Sequence, residues 1–282
     1  CEPCIQRNVF ICKACSGPQT SSRYPGTCDR CNPMMADSVW AEVGGVAKGN
    51  DIIVDTRSHR PYAVEIECFM DPDEAVAHGE MPEAWDKGVD GSIRVDLGCR
   101  DASEFRTGPL RGDEGLKLLY TGMKRLRDLG YRANSSCGVH CHVSLLGTEL
   151  EDREALHRFG TWIQADVFKL VAPSRTESRF CKRLSNYEHD KDDKYLWLGI
   201  QSYERHRTVE FRLHHGVTKA ETVVEYVRLC LRIVERGLKL GYKTQKPAGG
   251  IMDLLGLTTY EREYWTATAK RLHGDGVQFE VR

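Results

Sequence analysis

Three stretches of this chain alternate polar and apolar residues with a period of two: Val64-Glu65-Ile66-Glu67-Cys68, Val139-His140-Cys141-His142-Val143 and Val209-Glu210-Phe211-Arg212-Leu213. Successive side chains of a strand point to opposite faces, so each stretch predicts a strand with a polar pair on one face and apolar residues on the other. One such strand would read as a solvated edge. Three of them, with three carboxylates, two imidazoles and one guanidinium between them, predict a polar cavity lined by neighbouring strands. Carboxylates packed that closely push one another's pKa upward unless a cation holds them. The simplest such cation is a metal ion.

The rest of the pattern predicts a mixed α+β body. A strand over 62–69 is followed by a Pro- and acid-rich loop to about residue 88, a turn at Asp90-Gly91-Ser92 and short strands over 93–96 and 103–107. A helix over 113–129 ends at Gly130, placed where a left-handed C-cap belongs. A strand over 136–145 leads to a helix capped by Thr148 and Glu151, which stops at about Val171, before Pro173. The charged stretch 186–195 reads as a solvated loop or an active-site lid. Strands over 196–202 and 208–214 follow. Val224, Val227, Leu231, Val234 and Leu238 then make one apolar stripe on a helix over 221–240, expected to pack on the apolar side of the sheet. Thr258 and Glu261 cap a last helix to about Leu272.

Composition narrows the function. The chain has 282 residues, with 40 Lys and Arg against 41 Asp and Glu, so it carries no overall field that would capture nucleic acid. No apolar run approaches the roughly 18 to 20 residues needed to cross a bilayer, so no membrane partner is expected. No signal-peptide pattern opens the sequence, although residue 1 is Cys and an upstream segment is allowed for.

Six of the twelve cysteines fall in the first 31 residues as three C-x-x-C pairs. So short and polar a segment builds no core of its own, whereas a zinc ion held by four thiolates would fold it. Cys12, Cys15, Cys28 and Cys31 form the best four-ligand set, with Cys1 and Cys4 substituting for one pair or sharing a second ion. A redox dithiol set is the alternative. The other six cysteines are scattered singly, which fits a reducing cytoplasm better than a secreted disulfide scaffold. The expected organisation is a zinc-binding module over 1–35, a connector over 36–60 and a catalytic body over 61–282. Residues 44–50 lack the G-x-x-x-x-G-K-[ST] pattern of a phosphate-cradling loop.

In the body, carboxylate oxygens dominate the candidate ligands, which favours magnesium or manganese over zinc. Hard divalent ions among carboxylates commonly meet phosphate oxygens, which suggests nucleoside triphosphate chemistry without a P-loop. The series Val64-Glu65-Ile66-Glu67, Asp90-Gly91-Ser92-Ile93, Cys137-Gly138-Val139-His140-Cys141-His142-Val143 and Thr208-Val209-Glu210-Phe211-Arg212-Leu213-His214-His215-Gly216 resembles the motif series of the amidoligase family, related to glutamate-cysteine ligase and glutamine synthetase, over about residues 61–240.

The resemblance implies a curved antiparallel sheet whose concave polar face holds ATP and metal ions, with helices packed on its convex face. It implies that Glu65, His140 and Glu210 hold one ion, that Glu67 takes a second with Glu104 as helper, that His142 contacts the nucleotide, and that Arg212 stabilises the phosphoryl group in transfer. Arg179, Lys182 and Arg183 lie where the family commonly places basic substrate or phosphate contacts; surface charge is their plainer reading. The implied activity is an ATP-dependent carboxylate-amine ligase acting on a small-molecule or peptide carboxylate and an amine, with a protein substrate docked by the zinc module. A metal-dependent hydrolase built on His-x-His and Glu, or a catalytically inactive binding protein, are the competing readings.

Overall fold

The computed structural model describes residues 10–11, 18–19, 60–82, 85–277 and 279. Cys1, Cys4, Cys12, Cys15, Cys28 and Cys31, and with them the expected zinc module, lie outside the described residues. The two-residue strands Phe10–Ile11 and Pro18–Gln19 pair antiparallel.

The body is a seven-stranded sheet in which every pairing of named strands is antiparallel. Its strands are β1 (Tyr62–Met70), β2 (Trp85–Val89), β3 (Arg100–Thr107), β4 (Tyr131–Arg132), β5 (Gly138–Ser144), β6 (Leu198–Gly199) and β7 (Thr208–His215). They run in the order β2-β3-β1-β5-β7-β6, with β4 paired to the end of β1. The three inside-out strands expected from the alternation are thus immediate neighbours, β1, β5 and β7.

The alternation decides which face is covered. Val64, Ile66, Cys68, Val139, Cys141, Val143, Val209, Phe211 and Leu213 are all fully buried in one hydrophobic core. Four long helices supply much of the rest of it: α1 (Gly112–Asp128), α2 (Leu150–Val167), α3 (Ala220–Leu240) and α4 (Thr259–His273). α3 packs against β5 with α1 and α2 beside it. Because it has neighbours on several sides, its burial is wider than a single stripe and takes in Val223, Tyr226, Leu229, Cys230 and Ile233. At about 25 cal/mol per Å² of apolar surface removed from water, this shared core is the main force holding the sheet in register.

The helix ends obey local chemistry. Gly130 follows α1 with φ of +87°, a conformation that costs glycine nothing. Thr258 Oγ1 accepts from the Glu261 N–H at 3.2 Å while Glu261 Oε2 accepts from the Thr258 N–H at 2.8 Å, the expected capping box. The cap of α2 is shifted by one residue from the expected Thr148–Glu151 pair. Asp152 Oδ2 accepts from the Glu149 N–H at 2.8 Å, and the Thr148 hydroxyl donates to the Leu145 carbonyl at 2.7 Å. α2 also ends earlier than expected, at Val167, and passes into the 3-10 turn Phe168–Leu170.

Three local expectations are corrected. No strand forms over 93–96: Asn134 Nδ2 donates to the Arg94 carbonyl at 2.7 Å and Ser136 Oγ accepts from the Arg94 N–H at 2.9 Å, so side chains take up the backbone groups a neighbouring strand would need. The loop expected up to residue 88 instead contains the edge strand β2, which pairs with β3. The strand expected over 196–202 shrinks to Leu198–Gly199, and a helical turn, Ser202–His206, follows it. The charged stretch 186–195 includes a helical turn, Tyr187–Asp190, whose Asp190 is tied to His157 of α2 at 2.7 Å.

Candidate active site

The face opposite the helices carries the polar pairs. Cross-strand register sets Glu65 against Arg106 of β3 on one side and His140 of β5 on the other. Glu67 faces Glu104, and His142 faces Glu210. Glu65, Glu67, Glu104, His140, His142 and Glu210 therefore share one patch spanning four adjacent strands, with Arg106 and Arg212 at its two flanks.

His140 is the centre of the patch and is only 3% exposed. Its Nδ1 lies 3.3 Å from Glu65 Oε2 and 3.6 Å from Glu210 Oε1, and its Nε2 lies 3.6 Å from Glu67 Oε1. Gly138 stands two residues earlier on the same face and donates its N–H to Glu67 Oε2 at 2.6 Å. A Cβ there would come within 3.0 Å of His140 Nε2, so the glycine leaves room for the ring.

A β-bulge shapes the β7 side. Val139 pairs with His214 but Cys141 pairs with Phe211, so His140 alone opposes both Arg212 and Leu213. Such an extra residue re-aims the side chains around it. Arg212 remains on the polar face, where Nη1 meets Glu210 Oε1 at 2.5 Å and Nε donates to the Phe180 carbonyl at 3.3 Å. His214 is turned to the helix side and packs against the Tyr226 ring, 4.9 Å between centroids. Burial, then the adjacent His215, push its pKa down to about 3.

His142 is oriented from behind. Its Nδ1 lies 3.1 Å from Thr208 Oγ1 and 3.2 Å from Ser202 Oγ, and those hydroxyls are 2.9 Å apart. Its Nε2 is buried, 3.5 Å from Glu65 Oε1, and makes no hydrogen bond. An imidazole held in place by hydrogen bonds at one nitrogen can present the other to an ion.

The charges interlock. Burial alone would raise the Glu65 pKa, but the His140 and His142 imidazoles beside it outweigh that and hold the carboxyl well below its ordinary value. Burial would lower His142, yet the facing Glu65 and then Glu210 hold it above the usual imidazole value. Burial, and after it Glu65, push Glu104 up against the opposing pull of Arg106.

Three sets of ligand atoms, each within 4.8 Å of one another, have the chemistry of divalent-cation sites: Glu65, Glu104 and His140; Glu65, His142 and Glu210; and Glu67, Asp90 and Glu104. Carboxylates with at most one imidazole per set fit hard divalent ions, and the orphaned His142 Nε2 is what such an ion would satisfy. All of the ligands expected from the sequence outside the cysteines are gathered here, although the second set contains His142 where His140 was expected.

Arg179 and Lys182 stand apart from the patch. Arg179 is exposed and lies over the Phe180 ring at 4.6 Å, and Lys182 Nζ is paired with Asp193 Oδ2 at 2.8 Å. The Phe180 carbonyl on Arg212 links this segment to the site, as does the Tyr195 ring, which faces both Lys182 and Arg212. Asp90, Gly138 and Thr208 stood within the motifs quoted from the sequence but had no role assigned, and Arg106 and Ser202 were missed. Of the two missed residues Arg106 had a signal, since Glu104-Phe105-Arg106 repeats the tripeptide Glu210-Phe211-Arg212.

A family model described as "Putative amidoligase enzyme" matches residues 171–234. That segment spans β6, β7 and the first part of α3, including Glu210 and Arg212, and supports an enzyme of the ligase class. β1 and β5, with Glu-x-Glu and His-x-His, lie before it. No curated protein matches the chain. Among the described residues no helix is long and apolar enough to cross a membrane.

Proposed function

We propose that this chain is an ATP-dependent carboxylate-amine ligase that forms an amide or isopeptide bond through an acyl phosphate. One observation carries the reading: four carboxylates and two imidazoles lie together on one sheet face with an arginine at each flank, and one of those arginines falls inside the segment matched by the amidoligase model.

Glu65, Glu67, Glu104, His140 and Glu210 are the residues that would hold Mg²⁺ or Mn²⁺, whose contribution is to neutralise phosphate charge. Arg212, fixed by Glu210 and the Phe180 carbonyl, would present a planar fork to the oxygens of the phosphoryl group as charge spreads over them. His142 would hold an ion with Glu65 and Glu210 beside the nucleotide phosphates, while Arg179 and Lys182, outside the patch, would reach the nucleotide from the segment around Phe180. A carboxylate oxygen of the substrate attacks the γ-phosphorus of ATP and ADP leaves. The amine nitrogen then attacks the acyl carbon, the C–O bond to phosphate breaks, and the nitrogen loses a proton. The covered sheet face and the packed helices would keep this patch pre-organised. The N-terminal cysteine segment would bind Zn²⁺ structurally and dock a protein substrate.

The test is equilibrium binding of a fluorescent ATP analogue with and without Mg²⁺ or Mn²⁺, followed by ADP release with hydroxylamine as the amine. Saturable, cation-dependent binding and amine-stimulated release are expected. No nucleotide binding with either ion would overturn the proposal.

A further inference from the structure

The tripeptides Glu104-Phe105-Arg106 on β3 and Glu210-Phe211-Arg212 on β7 bracket β1 and β5, with both phenylalanines buried in the core and both charged pairs on the polar face. Their arginines are held differently. Arg212 has two anchors, Glu210 and the Phe180 carbonyl. Arg106 Nε lies 3.2 Å from Glu104 Oε1 but is not aligned for a hydrogen bond, and Nη2 lies 3.8 Å from Asp86 Oδ2. Its side chain is 39% exposed. Gly88 of β2, opposite Glu104, makes the space it occupies, since a Cβ there would stand 2.4 Å from Nη2.

Glu104 thus has two claims on it. It is the loosely held partner of Arg106, and it belongs to two of the three cation sets, one with Glu65 and His140, the other with Glu67 and Asp90. A part-exposed ion pair without hydrogen-bond alignment is weak, whereas a divalent ion in direct contact with several carboxylates interacts far more strongly with each. Both claims cannot be met by the same oxygen at full strength.

We propose that Arg106 is a resident counter-cation for the Glu104 end of the site, displaced from Glu104 when a divalent ion enters, and therefore a positioning residue that sets the ion affinity of that end. In the ion-free protein it offsets the repulsion among Glu65, Glu67 and Glu104; with the ion bound its guanidinium is released at the open margin beside β2. This deepens the metal-dependent reading above and rests on it.

The experiment is a Mn²⁺ titration followed by electron paramagnetic resonance of the free ion, at constant ionic strength, on wild type, Arg106→Gln, Glu104→Gln and the double variant, with circular dichroism confirming that each is folded. Removing Arg106 should tighten Mn²⁺ binding by roughly fivefold to tenfold in the wild-type background. In the Glu104→Gln background, where the ion at Glu65, His142 and Glu210 is still read, the same substitution should have little effect. Equal affinity of wild type and Arg106→Gln would overturn the proposal. So would equal tightening in both backgrounds, which would mean a general charge effect. Absence of Mn²⁺ binding by wild type and Arg106→Gln alike would overturn the metal reading itself, and this inference with it.

Discussion

Gly138 gives its backbone N–H to Glu67 at 2.6 Å and, by lacking a side chain, lets the His140 ring reach the same carboxylate. One residue thus fixes two others, one through a donor and one through empty space. Gly138→Ala would place a Cβ 3.0 Å from His140 Nε2 and 3.3 Å from Glu67 Oε2, forcing one of them to shift. Because displacement of reacting or coordinating groups by about an ångström costs up to roughly a hundredfold, nucleotide-dependent turnover should fall about ten- to a hundredfold. The thermal midpoint should fall by about 2 to 10 °C with the fold retained, as overpacking at one position costs about 1 to 3 kcal/mol. A variant with unchanged turnover would show that the close approach has no functional role.

Glu210→Gln keeps the shape of the side chain but removes its charge. The residue is nearly buried, faces His142 across the ladder and holds Arg212. Losing one preorganised electrostatic partner typically costs about a hundredfold or more, so ADP release should be all but abolished. The circular dichroism spectrum should be unchanged, because the Phe180 carbonyl still anchors Arg212. Turnover at the wild-type rate would remove Glu210 from the site.

Arg212→Lys tests the fork rather than the charge. A lysine ammonium is a point charge and cannot span Glu210 and the Phe180 carbonyl as the guanidinium does. Turnover should fall by about a hundredfold, while nucleotide binding weakens much less. If Lys supported near-normal turnover, a simple positive charge would suffice there.

The site was legible where periodicity alone determined it. Val64, Ile66, Val139, Val143, Val209 and Phe211 could only be buried on the face opposite the charged pairs, and that one inference put β1, β5 and β7 together. What stayed hidden depends on register and on residues that break the period. The bulge opposite His140 reverses the facing of β7, so His214, in step with Glu210 and Arg212 in the sequence, ends among the helices. Asp90 reaches Glu67 and Glu104 from the turn after β2; its motif was read in the sequence, but its place beside those carboxylates depends on the pairing of β2 with β3. β2 itself was concealed because Asp86, Lys87 and Gly88 are poor strand formers, and Trp85 finds its place only over Gly122 of α1, where any Cβ would strike the indole. Ser202 and Thr208 orient His142 across the helical turn Ser202–His206, of which only Ser202 had been expected to be strand.

Glu225 gives the molecule a pH dependence away from the site. It lies on α3, is 1% exposed, and sits near Arg228 with Glu261 of α4 close by. Burial, opposed by Arg228 and reinforced by Glu261, raises its pKa from the ordinary 4.5 to about 7. Between those values the folded state binds more protons than the unfolded chain, so stability falls as pH rises through this window and is highest below it. The difference corresponds to about 3 kcal/mol between pH 4 and pH 8. Glu225→Gln should remove that slope. Urea unfolding of the two proteins at pH 5 and pH 8 is the measurement: wild type should lose stability relative to the variant as pH rises. Parallel profiles would mean that Glu225 stays ionised in the folded protein, with Arg228 compensating its burial fully.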